Sequence, residues 1–452
     1  MTDTGKREFG LTGATALIVG TIIGVGIFNL PTSLATYGPI SLASMALTTV
    51  GALALAMLFA ALSRRIPADG GPYAYARAAF GDAVGFANAW SYWITAWAGN
   101  AAIAVGWVLY VENFVNTGHH TALSILLVLV GLWLPAAINL SGVRNMGWVQ
   151  LVSAILKFAA LLFMATVGLF FVHSANFTPW NVSGQSTVTA IGGGMAIALF
   201  SYLGVETAAV AAGKVRDPDR NIPRATIFGT IATAFVYLLS LVAVFGIVPN
   251  TELGAATAPF SDAVNVMFGG TWAGDVMAVA VIISGFGALN GWTMICAEMA
   301  LAAAKDDLFP PRFKQLSPAG VPRFGIVAST ALASVAVIVN YVGAAGATVF
   351  TTLVLMTGIT AAIPYAFSAL AQLRWRWSER GAANRPRLVR DLTVAVLSLV
   401  FSVLFIWYSR NTGQDFFTYW APFLLAGAAL LLGIPVYTAR HGRQTSKPQG
   451  GS

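Results

Sequence analysis

The residues able to do chemistry in this chain lie inside long apolar stretches, and the first of these exposes its backbone. Residues 11–35 carry no charge and are long enough to span a bilayer. At mid-depth they read Gly20-Thr21-Ile22-Ile23-Gly24-Val25-Gly26-Ile27-Phe28, in which two glycines one residue apart favour an opening of the helix. Freed backbone groups inside a membrane are tolerated only where they line a cavity or are buried in protein. The segment therefore predicts a binding site.

A second interruption is predicted in the sixth span, five spans after the first. The stretch reads Gly192-Gly193-Gly194-Met195-Ala196-Ile197-Ala198-Leu199-Phe200-Ser201-Tyr202-Leu203-Gly204-Val205-Glu206. A glycine cluster alone is more typical of close helix packing in membranes. The matched positions of the two clusters in the two halves of the chain instead favour an inverted repeat. In such repeats, unwound helices at the bilayer midplane bind small charged molecules.

Composition and charge placement indicate the elements that must position these residues. Hydrophobic residues make up 57% of the chain and charged residues 9%, which excludes an ordinary soluble domain. With the N-terminus inside, every Lys and Arg lies on the cytoplasmic side except Arg410, which falls outside, and Lys157, which lies within a span. This segregation explains the net charge of +8 without a nucleic-acid partner. The pattern predicts twelve spans, at about 11–35, 40–61, 84–114, 122–139, 147–172, 188–212, 225–247, 274–303, 325–342, 349–373, 392–409 and 418–437.

This organisation predicts a single transmembrane domain over residues 1–452, in the cytoplasmic (inner) membrane with both termini cytoplasmic. The two repeats are expected at about 11–172 and 188–373, and trailing helices at about 392–437. Cys296 is the only cysteine, which rules out an intramolecular disulfide. The sequence has no metal-ligand spacing and no Walker-type loop, so we expect no metal, no cofactor and no ATP coupling.

Several short motifs together resemble the amino acid–polyamine–organocation superfamily, and most closely its basic amino acid and polyamine antiporters. The resemblance covers nearly the whole chain and is closest to the arginine/agmatine exchangers of that group. It implies an all-α membrane protein of twelve helices with the five-plus-five inverted repeat of the LeuT fold. The resemblance also implies unwound first and sixth helices, two trailing helices and transport by alternating access. The motifs are the two interrupted stretches above with Gly70-Gly71-Pro72-Tyr73-Ala74-Tyr75, Asp217-Pro218-Asp219-Arg220-Asn221-Ile222-Pro223-Arg224-Ala225-Thr226 and Asp307-Leu308-Phe309-Pro310.

The opened helices offer partners for both charges of an amino acid, which need them in a medium of low dielectric constant. Backbone N–H groups of the first helix, at Ile22, Val25 and Gly26, can bind the carboxylate, as helix N-termini bind anions. Carbonyls of the sixth helix, near Phe200 and Leu203, can bind the α-ammonium. Related exchangers often have Ser where Val25 stands, so no side-chain hydrogen bond to the carboxylate is expected.

Trp292 lies mid-membrane in the eighth span, away from the interfaces where Trp usually anchors a helix. In the antiporters that this chain resembles, the matching Trp stacks on the cationic end of the substrate, a contact of about 2 kcal/mol when desolvated. The alternative is a packing aromatic, one of 13 Trp. Asn100 and Thr357 match positions that hydrogen-bond the side-chain end of the substrate.

The resemblance also implies gating residues. Tyr92 and Tyr365 match gating aromatics on opposite sides of the site. Phe200 stands where the arginine exchangers have Trp and close the site from outside, so strict selectivity for arginine is not implied. Glu206 lies just beyond the sixth-helix interruption, and its family counterpart is linked to pH response. A static hydrogen-bond acceptor is the equal alternative for Glu206.

Lys157 lies about ten residues into the fifth span. At 1.5 Å per residue this is roughly 15 Å from the cytoplasmic end of the span, which is too deep for the side chain to snorkel to the interface. Sodium-coupled relatives place a metal ion near this position, whereas proton-coupled carriers and some sodium-independent exchangers place a Lys there. The arginine/agmatine exchangers have a small residue, so Lys157 favours the broader amino acid carriers. It either exchanges protons, as a desolvated Lys can, or is a fixed ammonium paired with first-helix carbonyls.

The sequence thus predicts a secondary active transporter, not an enzyme, that moves a cationic or broad-range amino acid by exchange or proton coupling. A polyamine such as putrescine is the alternative substrate, which the scarcity of mid-membrane acids makes less favourable. A channel or a non-transporting sensor is the alternative from a different class. The expected partners are the small-molecule substrate and the lipid bilayer, and homodimerisation is left open.

Overall fold

The computed structural model describes residues 10–66, 71–142, 147–206, 215–342, 344–379, 385–412 and 415–445, and the regular elements in these ranges are all helical. Short 3₁₀ turns connect some of the helices. The α-helices are α1 (Leu11–Ile22), α2 (Gly26–Ala35), α3 (Ser41–Arg65), α4 (Pro72–Phe80), α5 (Asp82–Val115), α6 (Thr121–Leu140), α7 (Gly147–Thr166), α8 (Thr187–Ala198), α9 (Pro218–Ile247), α10 (Asn250–Leu253), α11 (Pro259–Phe268), α12 (Trp272–Lys305), α13 (Arg323–Tyr341), α14 (Gly346–Ser378), α15 (Arg385–Tyr408), α16 (Phe416–Leu431) and α17 (Gly433–Thr445).

Ten helical segments within the described ranges are long and apolar enough to cross a membrane. The first of them, Leu11–Ala35, contains both α1 and α2, and the last, Phe416–Ala439, runs from α16 into α17. Two shorter apolar helices, Val152–Thr166 and Thr187–Tyr202, lie where the sequence predicts the fifth and sixth spans. Within the fifth predicted span (147–172), the α-helix ends at Thr166 and a 3₁₀ turn follows at Gly168–Phe171.

The helices form layers around α5. The most apolar window of α5 is 89% buried, whereas that of Phe416–Ala439 is 22% buried, which places α5 at the centre and α16 at the periphery. The central helix packs against α12 on one side and α14 on the other. Peripheral helices turn apolar side chains such as Ile155, Val335 and Trp407 outwards, an arrangement that suits contact with lipid rather than water.

The two ends of the bundle differ in charge. One end, here called the basic face, holds ion pairs between Arg65 and Glu379 (2.5 Å) and between Arg77 and Asp306 (3.3 Å). The other end, the opposite face, is covered by the short helices α10 and α11. There the Asn250 side chain donates to the carbonyl of Ala35 at the end of α2 (3.0 Å). The polypeptide therefore enters α1 at the basic face and leaves α2 at the opposite face.

The first span is interrupted where the glycine spacing predicts. The helix α1 ends at Ile22, and Ile23 takes up an extended conformation. The amide of Gly24 donates to the carbonyl of Ile22 (2.9 Å) instead of to the carbonyl four residues back, and α2 begins at Gly26. The α-helical hydrogen-bond ladder is therefore lost for one turn.

The sixth predicted span is interrupted as well. The helix α8 ends at Ala198 and passes into a 3₁₀ turn at Leu199–Tyr202, after which Leu203 is extended. Gly204 has a φ of 105°, a conformation that favours glycine. Residues 207–212 of this predicted span lie outside the described residues.

The two interruptions touch each other. A Cβ atom on Gly204 would lie 3.2 Å from the carbonyl carbon of Thr21 and 3.3 Å from the amide nitrogen of Ile22. A Cβ atom on Gly26 would lie 2.6 Å from the ring of Phe200. The absence of side chains at these glycines lets the opened backbones approach closely.

We predict that Gly204→Ala lowers the free energy of unfolding by about 1–3 kcal/mol, because it adds both a close contact and a strained φ. The midpoint of thermal unfolding in detergent measures the loss. Gly427→Ala is the matched control, since a Cβ there meets nothing within 4 Å on the exposed helix α16. Equal unfolding midpoints for the two variants would contradict the close contact between the interruptions.

Candidate functional site

The carbonyl groups freed by the first interruption are bonded by side chains from two other helices. The buried ammonium of Lys157, on α7, donates to the carbonyl of Gly20 (2.9 Å). The buried hydroxyl of Tyr237, on α9, donates to the carbonyl of Ile22 (3.0 Å). Because a buried carbonyl without a partner is unfavourable in a membrane, these two bonds stabilise the opened conformation.

The amide groups that begin α2, unlike the freed carbonyls, are not bonded by side chains of the described residues. The N–H groups of Val25, Gly26 and Ile27 have no acceptor among the residues that the structure describes. They belong to the first turn of a helix, where the backbone dipoles add up to a partial positive charge. Asn29 fixes this turn by donating to the carbonyl of Val25 (3.3 Å) and to that of Gly106 on α5 (3.1 Å). The arrangement is suited to an anion.

A pocket lies between the two interrupted helices, α5 and α12. It holds about 350 Å³ of empty space, its open side included. Five of the predicted substrate-binding residues line it: Ile22, Gly26, Phe200, Leu203 and Trp292. The structure therefore brings the predicted parts of the first, sixth and eighth spans together around one cavity, here called the central pocket.

The remaining predicted substrate-binding residues lie beside the central pocket. The side chain of Val25 packs towards α12, with a methyl group 2.6 Å from where a Cβ on Gly285 would be, so only its backbone is available. Asn100 donates to the hydroxyl of Thr293 (3.1 Å), and its amide oxygen has no partner among the residues that the structure describes. The buried hydroxyl of Thr357 donates to a carbonyl of its own helix.

Sequence reasoning missed part of the lining. Thr21 and Ser201 come from the interruptions, and Thr95, Gly99 and Ile103 come from α5. A signal for the α5 residues was available, because positions three to four apart on a helix share a face and these residues continue the face of the predicted gating tyrosine.

The side of the central pocket towards the opposite face is covered by Phe200. Its ring packs edge to face on Phe350, with ring centres 6.1 Å apart. It also lies 3.9 Å from where a Cβ on Gly99 would be, so it reaches from the first span across to α5. Phe200 therefore covers the pocket on this side.

Beyond the pocket lining, a buried carboxylate connects three helices. Tyr92 donates to one oxygen of Glu206 (2.7 Å) and Tyr365 donates to the other (2.8 Å). The prediction that the two tyrosines lie on opposite sides of the site was wrong, because their hydroxyl groups meet at one carboxylate. The resulting bonds tie α5 and α14 to the end of the sixth-span interruption.

Among the residues that the structure describes, no ionisable side chain lines the central pocket. Its electrostatics come from the α2 amides, from carbonyls of the opened segments and from the face of Trp292. Within the described ranges, no group of three or more His, Cys, Asp or Glu side chains is placed to hold a metal ion.

Long apolar helices around a pocket between two interrupted helices define a multi-pass membrane protein, and interrupted helices at a pocket are typical of secondary transporters. The profile of the amino acid permease family matches residues 9–430, and the chain belongs to that family. The family resemblance read from the motifs is thereby confirmed.

Similar proteins are named after different cationic substrates. A putrescine transporter of Haemophilus influenzae is 32% identical over 367 residues, which cover 81% of this chain and 84% of the relative. An arginine/ornithine antiporter of Pseudomonas aeruginosa is 29% identical over 97% of this chain and 94% of the relative. A cadaverine/lysine antiporter of Escherichia coli is 27% identical over 82% of this chain and 84% of the relative.

The single cysteine provides a test of the closure at Glu206. Cys296 is buried one turn from Trp292 on α12, near Tyr92. We predict that combining Tyr92→Phe with Tyr365→Phe speeds labelling of Cys296 by a membrane-permeant maleimide at least tenfold, because even one lost bond to a carboxylate, worth about 1.5–3 kcal/mol, corresponds to a factor of about ten or more.

Tyr110→Phe is the control for this labelling experiment. It also removes a buried tyrosine hydrogen bond from α5, to the carbonyl of Phe28 (2.8 Å), but on the side of the opposite face. Labelling of Cys296 should stay at the wild-type rate in this variant. Equal rates in wild type and in the double variant would show that the Glu206 contacts do not restrict access.

Proposed function

We propose that the chain is a secondary active transporter that exchanges basic amino acids of the arginine, lysine or ornithine type across the cytoplasmic membrane by alternating access. One observation carries the proposal. Within the described part of the chain, the central pocket offers unpaired amides at Val25–Ile27 for a carboxylate and the ring of Trp292 for a cationic side chain, and its lining contains no ionisable side chain. Asn100, whose amide oxygen is unpaired, and Thr357 are proposed to act at the side-chain end of the substrate.

The proposed topology has twelve spans, made of the ten long segments and the two shorter apolar helices. The first five and the next five form an inverted repeat within a single domain, and the last two trail it. The basic face is placed in the cytoplasm, with both termini, because positively charged loops stay inside. Alternating access then opens the site outwards past Phe200 and inwards past Glu206, Tyr92 and Tyr365.

Diamines are the second candidate substrates, and the relative named as a putrescine transporter favours them. A diamine would bring two ammonium groups into a central pocket whose described lining residues include no carboxylate. It would also leave the amides at the start of α2 without an acceptor, which is unfavourable in a buried site. Both arguments favour a substrate that carries a carboxylate.

Exchange is favoured over proton coupling by the position of Lys157. Its ammonium bonds the carbonyl of Gly20, and this hydrogen bond is strongest while the ammonium keeps its charge. The relatives named as antiporters are consistent with this reading.

The proposal is tested with purified protein in proteoliposomes loaded with unlabelled lysine. Uptake of labelled arginine, lysine and ornithine should exceed that of putrescine, cadaverine and leucine, and should require the internal amino acid. If only the diamines are taken up, the protein is a diamine transporter and the first proposal is wrong. Uptake of none of these molecules would refute both.

Trp292→Leu should weaken binding of arginine or lysine by about tenfold, or about 1.4 kcal/mol, because ring-face attraction requires a positive charge. Binding of a neutral amino acid should change much less. Scintillation proximity binding in detergent measures both. Trp133→Leu, on the peripheral helix α6, is the control for loss of an indole. Equal losses for cationic and neutral ligands would leave Trp292 with a packing role only.

Lys157→Ala should reduce exchange and pH-gradient-driven uptake together, since the opened first span loses the donor to Gly20. Removing one partner of a buried charged hydrogen bond costs about 1.5–3 kcal/mol, which is enough to lower both transport rates at least tenfold. Both activities are measured in the same proteoliposomes. Exchange that persists while gradient-driven uptake disappears would identify Lys157 as a proton carrier, and wild-type behaviour in both would exclude either role.

A further inference from the structure

A second cavity opens on the opposite face of the bundle. It holds about 530 Å³ of empty space, its open side included, between α2, α14 and the segment after α15. Ile197 and Leu355 line it on the side of the central pocket, and Phe200, which covers that pocket, lies one helical turn beyond Ile197. This cavity, here called the outer vestibule, therefore leads to the closure formed by Phe200.

Arg410 is the charged residue in the lining of the outer vestibule. Its guanidinium lies 5.2 Å from the ring centres of Trp407 and Trp420 and 5.9 Å from that of Phe423. It also donates to the carbonyl of Trp407. These contacts fix the position of the guanidinium but do not neutralise it, and no carboxylate among the described residues pairs with it.

Arginines of the basic face are held differently. Arg65 pairs with Glu379, and Arg376 pairs with Glu379 and Asp391. An ion pair cancels the charge that it positions, whereas an aromatic cage leaves the charge available to a ligand. Arg410 is thus a positioned cation with remaining N–H donors at the mouth of a cavity.

Hydroxyl groups surround the same space. Ser33 and Thr351 bond each other (2.7 Å), which joins α2 to α14. The hydroxyls of Thr36 and Thr348 have no partner among the described residues, and both residues line the vestibule. A guanidinium together with free hydroxyl donors suits a carboxylate, which accepts several hydrogen bonds at once.

We propose that the outer vestibule binds the α-carboxylate of an amino acid before the molecule reaches the central pocket, with Arg410 as the anchoring charge. The inference rests on the proposed function, because it assumes that amino acids enter from this face. A basic amino acid would approach with its carboxylate on Arg410 and its cationic end directed away. A diamine has no group for this site and is repelled by the guanidinium, so the vestibule discriminates between the two substrate classes before the central pocket does.

Cysteine protection tests this proposal without any transport measurement. A Cys296→Ser, Thr348→Cys variant places one reactive thiol in the outer vestibule. Lysine at about twice its dissociation constant should slow its labelling by a membrane-impermeant maleimide about threefold, because protection follows the fraction of sites that are occupied. Cadaverine, which is lysine without the carboxylate, should give no protection at the same concentration and ionic strength.

Two further variants assign the effect to the charge of Arg410. In the same background, Arg410→Gln should abolish protection by lysine, whereas Arg410→Lys should retain part of it. A central-pocket variant, Trp292→Leu, should leave protection unchanged, which separates this site from the cation contact proposed there. Protection by cadaverine equal to that by lysine, or protection that survives Arg410→Gln, would overturn the proposal, as would the absence of protection in the parent variant.

Transport adds a second readout that is sensitive to sidedness. Arg410→Gln should raise the external lysine concentration for half-maximal exchange about threefold and leave the internal one unchanged, because one accessible ion pair is lost on one side. Arg323→Gln, on the basic face, controls for the loss of one positive charge. An equal change in the external and internal half-maximal concentrations would overturn the role of Arg410 in binding amino acids from the outside. If no lysine exchange is found at all, the proposed function fails, while the labelling result still decides whether the vestibule binds a carboxylate.

Discussion

The site depends on one constraint, namely that polar backbone groups inside a membrane need partners. Opening the first span after Ile22 frees carbonyl and amide groups in the middle of an apolar bundle. The carbonyls of Gly20 and Ile22 are bonded by Lys157 and Tyr237. The amides of Val25–Ile27 receive no such partner from the described residues. This difference between bonded carbonyls and unbonded amides gives the central pocket one end with free N–H donors, and no basic side chain lines it among the described residues.

The same interruption brings few but specific contacts to the two sides of the pocket. Gly204 packs on the opened backbone of the first span, so the two broken helices form one unit. Phe200 covers this unit towards the opposite face, and Glu206 connects it to α5 and α14 near the basic face. Each closure rests on a ring or on two hydroxyl bonds, which are contacts that a conformational change can make and break one side at a time. The closures therefore suit alternating access better than a continuous pore.

Local sequence signals were sufficient for the interruptions but not for their partners. Closely spaced glycines in an uncharged span predicted the openings, since the cause lies within the segment itself. The depth of Lys157 likewise predicted either a functional or a structural ammonium, and the structure supplies its partner at Gly20. Tyr237 gave no comparable signal, because a tyrosine in a membrane helix is ordinary until its hydroxyl is located. The convergence of Tyr92 and Tyr365 depends on how three helices pack around one carboxylate, which spacing along a single chain does not encode.

Hydrogen–deuterium exchange at the start of α2 tests most directly whether the freed amides bind the substrate carboxylate. The comparison uses lysine and cadaverine, which differ by the carboxylate, at concentrations that give equal occupancy. The account predicts that lysine slows amide exchange at Val25, Gly26 and Ile27, and that cadaverine does not. Equal protection of these amides by both molecules, or protection by lysine only elsewhere in the bundle, would contradict it.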